Sequence, residues 1–125
     1  MIASDGRLVV PGDGHPHPRW YGTFPRVLGY FVREKKTLSL EEAIYKMSLL
    51  PAQTIGIKNR GLIKKGMYAD ITIFDKNTII DKATFESPHQ YSEGIYYVLV
   101  NGAVAIDNGE FKNIKAGVVL KKNAP

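Results

Sequence analysis

The order of local patterns constrains this chain more than any single residue does. Before Gly61 the apolar residues recur at helical spacing, and after it they gather in short strand-like stretches. Val27, Leu28, Phe31 and Val32 share one side of a helix, with Pro25 in its first turn, where the missing N–H is no loss. Ser39 and Glu42 have the spacing of a capping box and open a second helix, whose inner face is Leu40, Ala43, Ile44 and Met47. That helix ends before Pro51, and a short third one over 52–55 stops near Gly56. Beyond Gly61, with Gly66 as a preceding turn, Ile71–Phe74, 96–100 and 103–106 read as strands, and 118–120 is a candidate last strand. Asn101-Gly102 is the strongest short hairpin signal, because a type I′ turn needs positive φ at both central positions. Asn108-Gly109 is a second turn. Helices followed by strands, with no βαβ alternation in the second half, predict an α+β fold. The pattern divides the chain into 1–60 and 61–125.

Composition excludes several function classes. With 44% hydrophobic and 23% charged residues, the 125-residue chain has the make-up of a folded domain rather than a disordered one. No run of 18 apolar residues is present, and the first residues lack a basic stretch followed by an apolar one, so neither a spanning helix nor a leader is expected. The absence of cysteine removes disulfides and thiolate chemistry and suits a cytoplasmic location. The net charge of +5 raises nucleic acid as a partner. The densest basic run, Arg33-Glu34-Lys35-Lys36, carries an acid inside it, and Trp20 and the tyrosines form no basic–aromatic stripe that could stack bases. Neither nucleic acid nor membrane is therefore an expected partner.

Residues 1–4 read as a strand end, followed by Asp5-Gly6. Taken alone, that pair is a turn after a short strand; on the upper face of a barrel, a carboxylate at a strand end is a catalytic position. Residues 6–25 hold four glycines and four prolines and read as a long irregular loop, closed at Arg19. A guanidinium there can take a carboxylate through two parallel hydrogen bonds, or simply brace the loop. Trp20, Tyr21, Phe24 and Tyr30 either line a pocket or anchor this loop to the first helix. His15 and His17 are hemmed in by Pro16 and Pro18, with no nearby cysteine or fixed carboxylate spacing, which favours loop scaffolding over metal ligation. His89, after Pro88, reads as structural. Gly61 and Gly66 lack the Lys-Ser/Thr pair of a phosphate loop.

Four blocks carry a family resemblance: Ile2-Ala3-Ser4-Asp5-Gly6; His15 through Gly29; Asn59 through Asp75, with its Gly-x-x-x-x-Gly-x-x-Ala-Asp-Ile stretch; and Gly94 through Gly102. In this order they resemble the C-terminal end of the D-aminoacylases (N-acyl-D-amino-acid deacylases) of the amidohydrolase superfamily, from Ile2 to about Leu120. The resemblance implies the last strand and helices of a TIM barrel, followed by an antiparallel part of a small β-sandwich subdomain. It implies that Asp5 takes a proton from a metal-bound water and passes it to the departing amine, and that Arg19 grips the free carboxylate of an N-acyl-D-amino acid. It places zinc in the complete enzyme, with no metal ligand expected from this chain. A polypeptide supplying the N-terminal barrel is then a partner, and apolar faces such as Val27, Phe31, Ile44 and Met47 would otherwise stay partly exposed and favour a homo-oligomer. Hydrolysis of a linear amide, with the chain inactive alone, is the expected function. The alternative is a non-catalytic, self-associating module or the remnant of a truncated gene.

Overall fold

The computed structural model describes residues 1–121. They form two compact units that interleave along the sequence: Ile2–Ala43 with Asp75–Gly94, and Met1, Ile44–Phe74 and the chain from Ile95 onward. The elements are α+β, with helices in the first half and one antiparallel sheet in the second.

In the first unit, residues 1–4 form no strand, contrary to expectation, because no segment hydrogen-bonds alongside them; the one sheet among the described residues is built from later strands. Helix α1 (Arg19–Arg26) starts well before Pro25, which sits inside it, so the irregular loop ends at Pro18. Trp20, Tyr21 and Phe24 are helical residues, not loop residues. Pro25 has no N–H to give to the Tyr21 carbonyl, and that carbonyl instead accepts from Ser92 Oγ at 3.3 Å. Directly after the proline, Val27–Glu34 winds as a π-helix, whose wider turn the apolar spacing alone does not announce. Its Val27 and Leu28 join Ala43, Ile79 and Ala83 in a small core, with Ile79 only 2% exposed. Val27 is thus buried within the unit, while Phe31 is left 40% exposed.

Segment Asp75–Gly94 is irregular apart from an Ile80–Glu93 antiparallel bridge. Two glycines let its backbone come close. A Cβ on Gly29 would lie 2.5 Å from the Ile79 carbonyl oxygen, and one on Gly94, which has φ +82°, would lie 2.5 Å from Ile79 N. Arg33 donates to the Ile79 carbonyl at 2.6 Å and fixes the same turn from the π-helical side.

Helix α2 (Leu40–Met47) opens on the expected capping box. Glu42 N–H donates to Ser39 Oγ at 3.1 Å and Ser39 N–H to Glu42 Oε2 at 2.9 Å, satisfying two end donors reciprocally. Helix α3 (Leu49–Ile55) takes Pro51 within its first turn and stops at Gly56, whose φ of +82° suits a left-handed cap.

In the second unit the strands β1 (Ile71–Phe74), β2 (Ile95–Val100), β3 (Ala103–Asp107) and β4 (Glu110–Phe111) pair in sequence order, all antiparallel. Asn101 (φ +50°) with Gly102 (φ +84°), and Asn108 (φ +49°) with Gly109 (φ +84°), make the two expected turns. The candidate strand at 118–120 is not formed; among the described residues the last strand is β4, which the Asn108-Gly109 turn folds back onto β3. The β2–β3 turn is pinned by one guanidinium. Arg60, its side chain 10% exposed, pairs with Asp70 and donates to Asn101 Oδ1 at 2.6 Å, while Asn101 N–H donates to Asp70 Oδ1 at 2.8 Å. Tyr68 lies under the guanidinium, 4.3 Å from its ring centroid. Partial burial pushes the Asp70 carboxyl up, but the Asn101 N–H and Arg60 together outweigh it and hold the group below its ordinary value of 3.8.

Two stability predictions follow from these contacts. Gly94→Ala introduces both a strained φ and a backbone clash, and should cost about 2–4 kcal/mol. Urea unfolding of the chain should show a lower midpoint, and an unchanged midpoint would contradict the close approach at Ile79. For Asp70, the depressed folded pKa means its contribution is fully present above 3.8 and is lost as pH falls through the lower folded value. Asp70→Asn should therefore destabilise at neutral pH by about 1–2 kcal/mol and flatten the loss of stability as pH falls below 3.8. Equal acid sensitivity in both proteins would remove Asp70 as its source.

Candidate active site

All candidate site residues lie in the first unit. Asp5 adopts φ +47°, a left-handed conformation that aspartate tolerates better than most residues. Arg19 is the first residue of α1, and no acidic residue lies in that helix's first turn. A cation at the positive end of a helix is unfavourable by a few tenths of a kcal/mol to about 1 kcal/mol, and the Asp5 carboxylate offsets it. Arg19 Nη2 donates to Asp5 Oδ2 at 2.8 Å, and Arg19 Nε donates to the Asp5 backbone carbonyl at 3.2 Å. One guanidinium thus holds both the side chain and the main chain of Asp5. The pair is open to water, with side chains 88% exposed for Asp5 and 42% for Arg19. Exposed pairs contribute about 0–1 kcal/mol, so this one can be opened or shared without disturbing the fold.

The histidines serve the loop between these two residues. His15 Nε2 sits 2.6 Å from the Phe85 carbonyl, and His17 Nδ1 accepts the Arg19 N–H at 3.1 Å while its ring meets Phe85 edge-on. His89 bonds to Gly12, Gly14 and Tyr21. Arg26 pairs with Asp81 at 3.1 Å, and the cations of Arg26 and Lys35 lie 4.7 Å and 5.3 Å from the centroid of the Tyr30 ring. The aromatics split by role: Tyr21 meets the rings of His89 and Tyr91, and Tyr30 packs along its own helix against Phe31. Sequence reasoning joined neither Asp5 to Arg19 nor the Asp75–Gly94 segment to the loop. Within that segment, His89 after Pro88 reads from the sequence as structural.

The amidohydrolase family model matches residues 2–106. The chain belongs to the amidohydrolase family. Over 124 residues it is 43% identical to the N-acyl-D-glutamate deacylase and 44% identical to the D-aminoacylase of Alcaligenes xylosoxydans xylosoxydans, covering 99% of this chain and 25% of each relative. It therefore spans about a quarter of the length of these curated relatives. A crystal structure of D-aminoacylase matches 94% of this chain with a TM-score of 0.86 at 45% identity, over 24% of that chain. N-acyl-D-glutamate deacylase from Bordetella bronchiseptica, solved with zinc and a phosphonate mimic of the tetrahedral intermediate, matches 84% of this chain with a TM-score of 0.78 at 46% identity, over 22% of that chain.

The residues present do not make a zinc site of their own. Zinc takes three or four His, Cys or carboxylate ligands in close array, and no group of three such side chains is so placed among the described residues. His89 engages both ring nitrogens with loop partners, and Asp5 is paired with Arg19. What this amidohydrolase segment brings together is a carboxylate and a guanidinium.

Proposed function

We propose that this chain is the part of an N-acyl-D-amino-acid deacylase that carries the proton-moving carboxylate, Asp5, and the carboxylate-recognising cation, Arg19. The observation that carries the reading is their 2.8 Å contact. In an N-acyl-amino acid the scissile amide nitrogen and the carboxylate are attached to the same carbon. A base serving the nitrogen and a cation serving the carboxylate must therefore lie within a few ångströms of each other. Arg19 has five N–H donors and commits one from Nε and one from Nη2 to Asp5. Nη1 and the second Nη2 hydrogen remain for a substrate carboxylate.

In this reading Asp5 accepts a proton from the attacking water as its oxygen adds to the amide carbon. It then delivers that proton to the nitrogen as the C–N bond breaks. Arg19 binds the anion before and during the reaction. The first unit would form the last strand and helices of a TIM barrel and the sheet a part of a small β-sandwich, in a cytoplasmic enzyme whose metal ligands come from other parts of the barrel. A polypeptide supplying that barrel is the proposed partner, and the chain alone should not turn over. The exposure of Leu8 (98%), Ile63 (82%) and Val119 (87%) favours association, with that partner or, in a second reading, with further copies of a non-catalytic module.

A chimera tests this: the Alcaligenes D-aminoacylase with its matching quarter replaced by this chain. Its turnover of an N-acetyl-D-amino acid should be abolished by Asp5→Asn. Arg19→Ala should lower kcat/KM for that substrate by roughly 30- to 1,000-fold, the weight of a lost charge-assisted contact of about 2–4 kcal/mol. The matching carboxamide, which has no anion, should be indifferent to Arg19→Ala. Equal losses on both substrates would make Arg19 a brace and overturn its assignment; full activity in Asp5→Asn would overturn that of Asp5.

A further inference from the structure

The geometry points to His89 as the positioning residue that latches the 11–14 loop onto helix α1, in its neutral, Nε2-protonated form. Its ring partners leave one choice of tautomer. The Gly12 N–H can only donate, and it meets His89 Nδ1 at 3.2 Å. The Gly14 carbonyl can only accept, and it meets His89 Nε2 at 3.1 Å. Nδ1 is therefore the bare nitrogen and Nε2 carries the proton. The Tyr21 hydroxyl, 3.0 Å from Nδ1, then serves as a second donor to that lone pair, with the two rings meeting edge-on at 5.8 Å.

The latch closes a gap that the loop cannot close itself. Gly12 and Gly14 sit at φ +84° and +65°, with no atom within 4 Å of where a Cβ would stand, so the loop is unpacked on that side. The backbone there has one internal tie, Asp13 N–H to the Val10 carbonyl at 3.0 Å. His89 supplies two more from a residue far away in sequence, and its third contact reaches Tyr21, two positions along α1 from Arg19. The loop between Asp5 and Arg19 is thus tied to α1 through the His89 ring.

Charging the ring puts a proton on Nδ1 and turns an acceptor for two donors into a competing donor. The groups facing the ring are few. From α1 there is the Tyr21 phenol. From the loop there are the Gly12 and Gly14 main chain, with the Asp13 side chain between them in sequence. On its own segment, Glu93 is paired with Lys82 at 3.2 Å, and Tyr91 meets Tyr21 rather than the imidazole. Among the described residues no carboxylate is hydrogen-bonded to His89 that could favour its charged form. Acidification should therefore release the loop.

The test is made on the 125-residue chain, labelled with ¹⁵N, and is independent of turnover. Long-range ¹H–¹⁵N correlation at about pH 8 should show His89 with a bare Nδ1 and a protonated Nε2. On acidification from that pH, the Gly12 amide resonance should move together with the His89 ring signals. Its hydrogen-exchange protection, corrected for the intrinsic pH dependence of exchange, should drop about tenfold or more. His89→Phe keeps a flat ring and should show the unprotected Gly12 amide at every pH. His89→Asn, whose side-chain oxygen can take the place of Nδ1, should restore protection and remove its pH dependence. An Nδ1-protonated ring at pH 8, or a Gly12 amide equally protected in His89→Phe, would overturn the proposal. Should His89→Phe fail to fold, the tautomer and the pH titration of the unaltered chain still decide it.

Discussion

The Arg19 guanidinium is the group on which the candidate site depends. It stands at the positive end of a helix, where a cation is unwelcome, and it is kept there by the Asp5 carboxylate and carbonyl. That arrangement ties a residue before the irregular loop to the residue that opens the helix after it. The exposure of both side chains makes the bond weak in water. Under the proposed function, the same exposure would let a second anion join the guanidinium without the fold having to rearrange.

The helix that presents Arg19 is itself shaped by one proline. Pro25 removes a donor from the middle of what would be a continuous α-helix, and two consequences are visible. The freed Tyr21 carbonyl is taken by Ser92, and the chain after Pro25 widens into a π-helix that packs Val27 and Leu28 into the core. Ser92, His89 and Phe85 all come from the Asp75–Gly94 segment. That segment has almost no regular structure, yet it holds the helix, the loop and the histidines that flank Arg19. Close approach at Gly29 and Gly94 makes this possible, since either position would reject a side chain.

Much of the fold was legible in the sequence wherever a local rule sufficed. The capping box at Ser39 and Glu42, the helix stop at Gly56, the strand at Ile71–Phe74 and both Asn-Gly turns need only neighbouring residues to be decided, and each stands as expected. The errors fell where a distant partner decides. Pro25 looked like a helix start because proline is favoured there; Ser92 makes its interior position tolerable, and nothing near Pro25 reveals Ser92. Residues 1–4 looked like a strand by composition, but a strand requires a neighbour. The compact units also cross the sequence, uniting Ile2–Ala43 with Asp75–Gly94, which no change of pattern at a single point can indicate. At the candidate site, Asp5 and Arg19 were each singled out from their flanking blocks, while their contact depends on a left-handed Asp5 that residue type permits but does not dictate.

The central claim is that one guanidinium serves Asp5 and a substrate carboxylate together. Its most direct measurement is the equilibrium affinity of a non-hydrolysable N-acyl-D-amino acid phosphonate, bearing a free carboxylate, for the chimeric enzyme and for its Asp5→Asn, Arg19→Ala and doubly substituted forms. The account predicts that Asp5→Asn leaves Kd within a few-fold, because Arg19 remains free to hold the anion. Arg19→Ala should raise Kd by at least about 30-fold, and the double substitution should resemble Arg19→Ala alone. If Asp5→Asn weakens binding as much as Arg19→Ala does, the pair is a closed structural brace and the shared-guanidinium account is wrong.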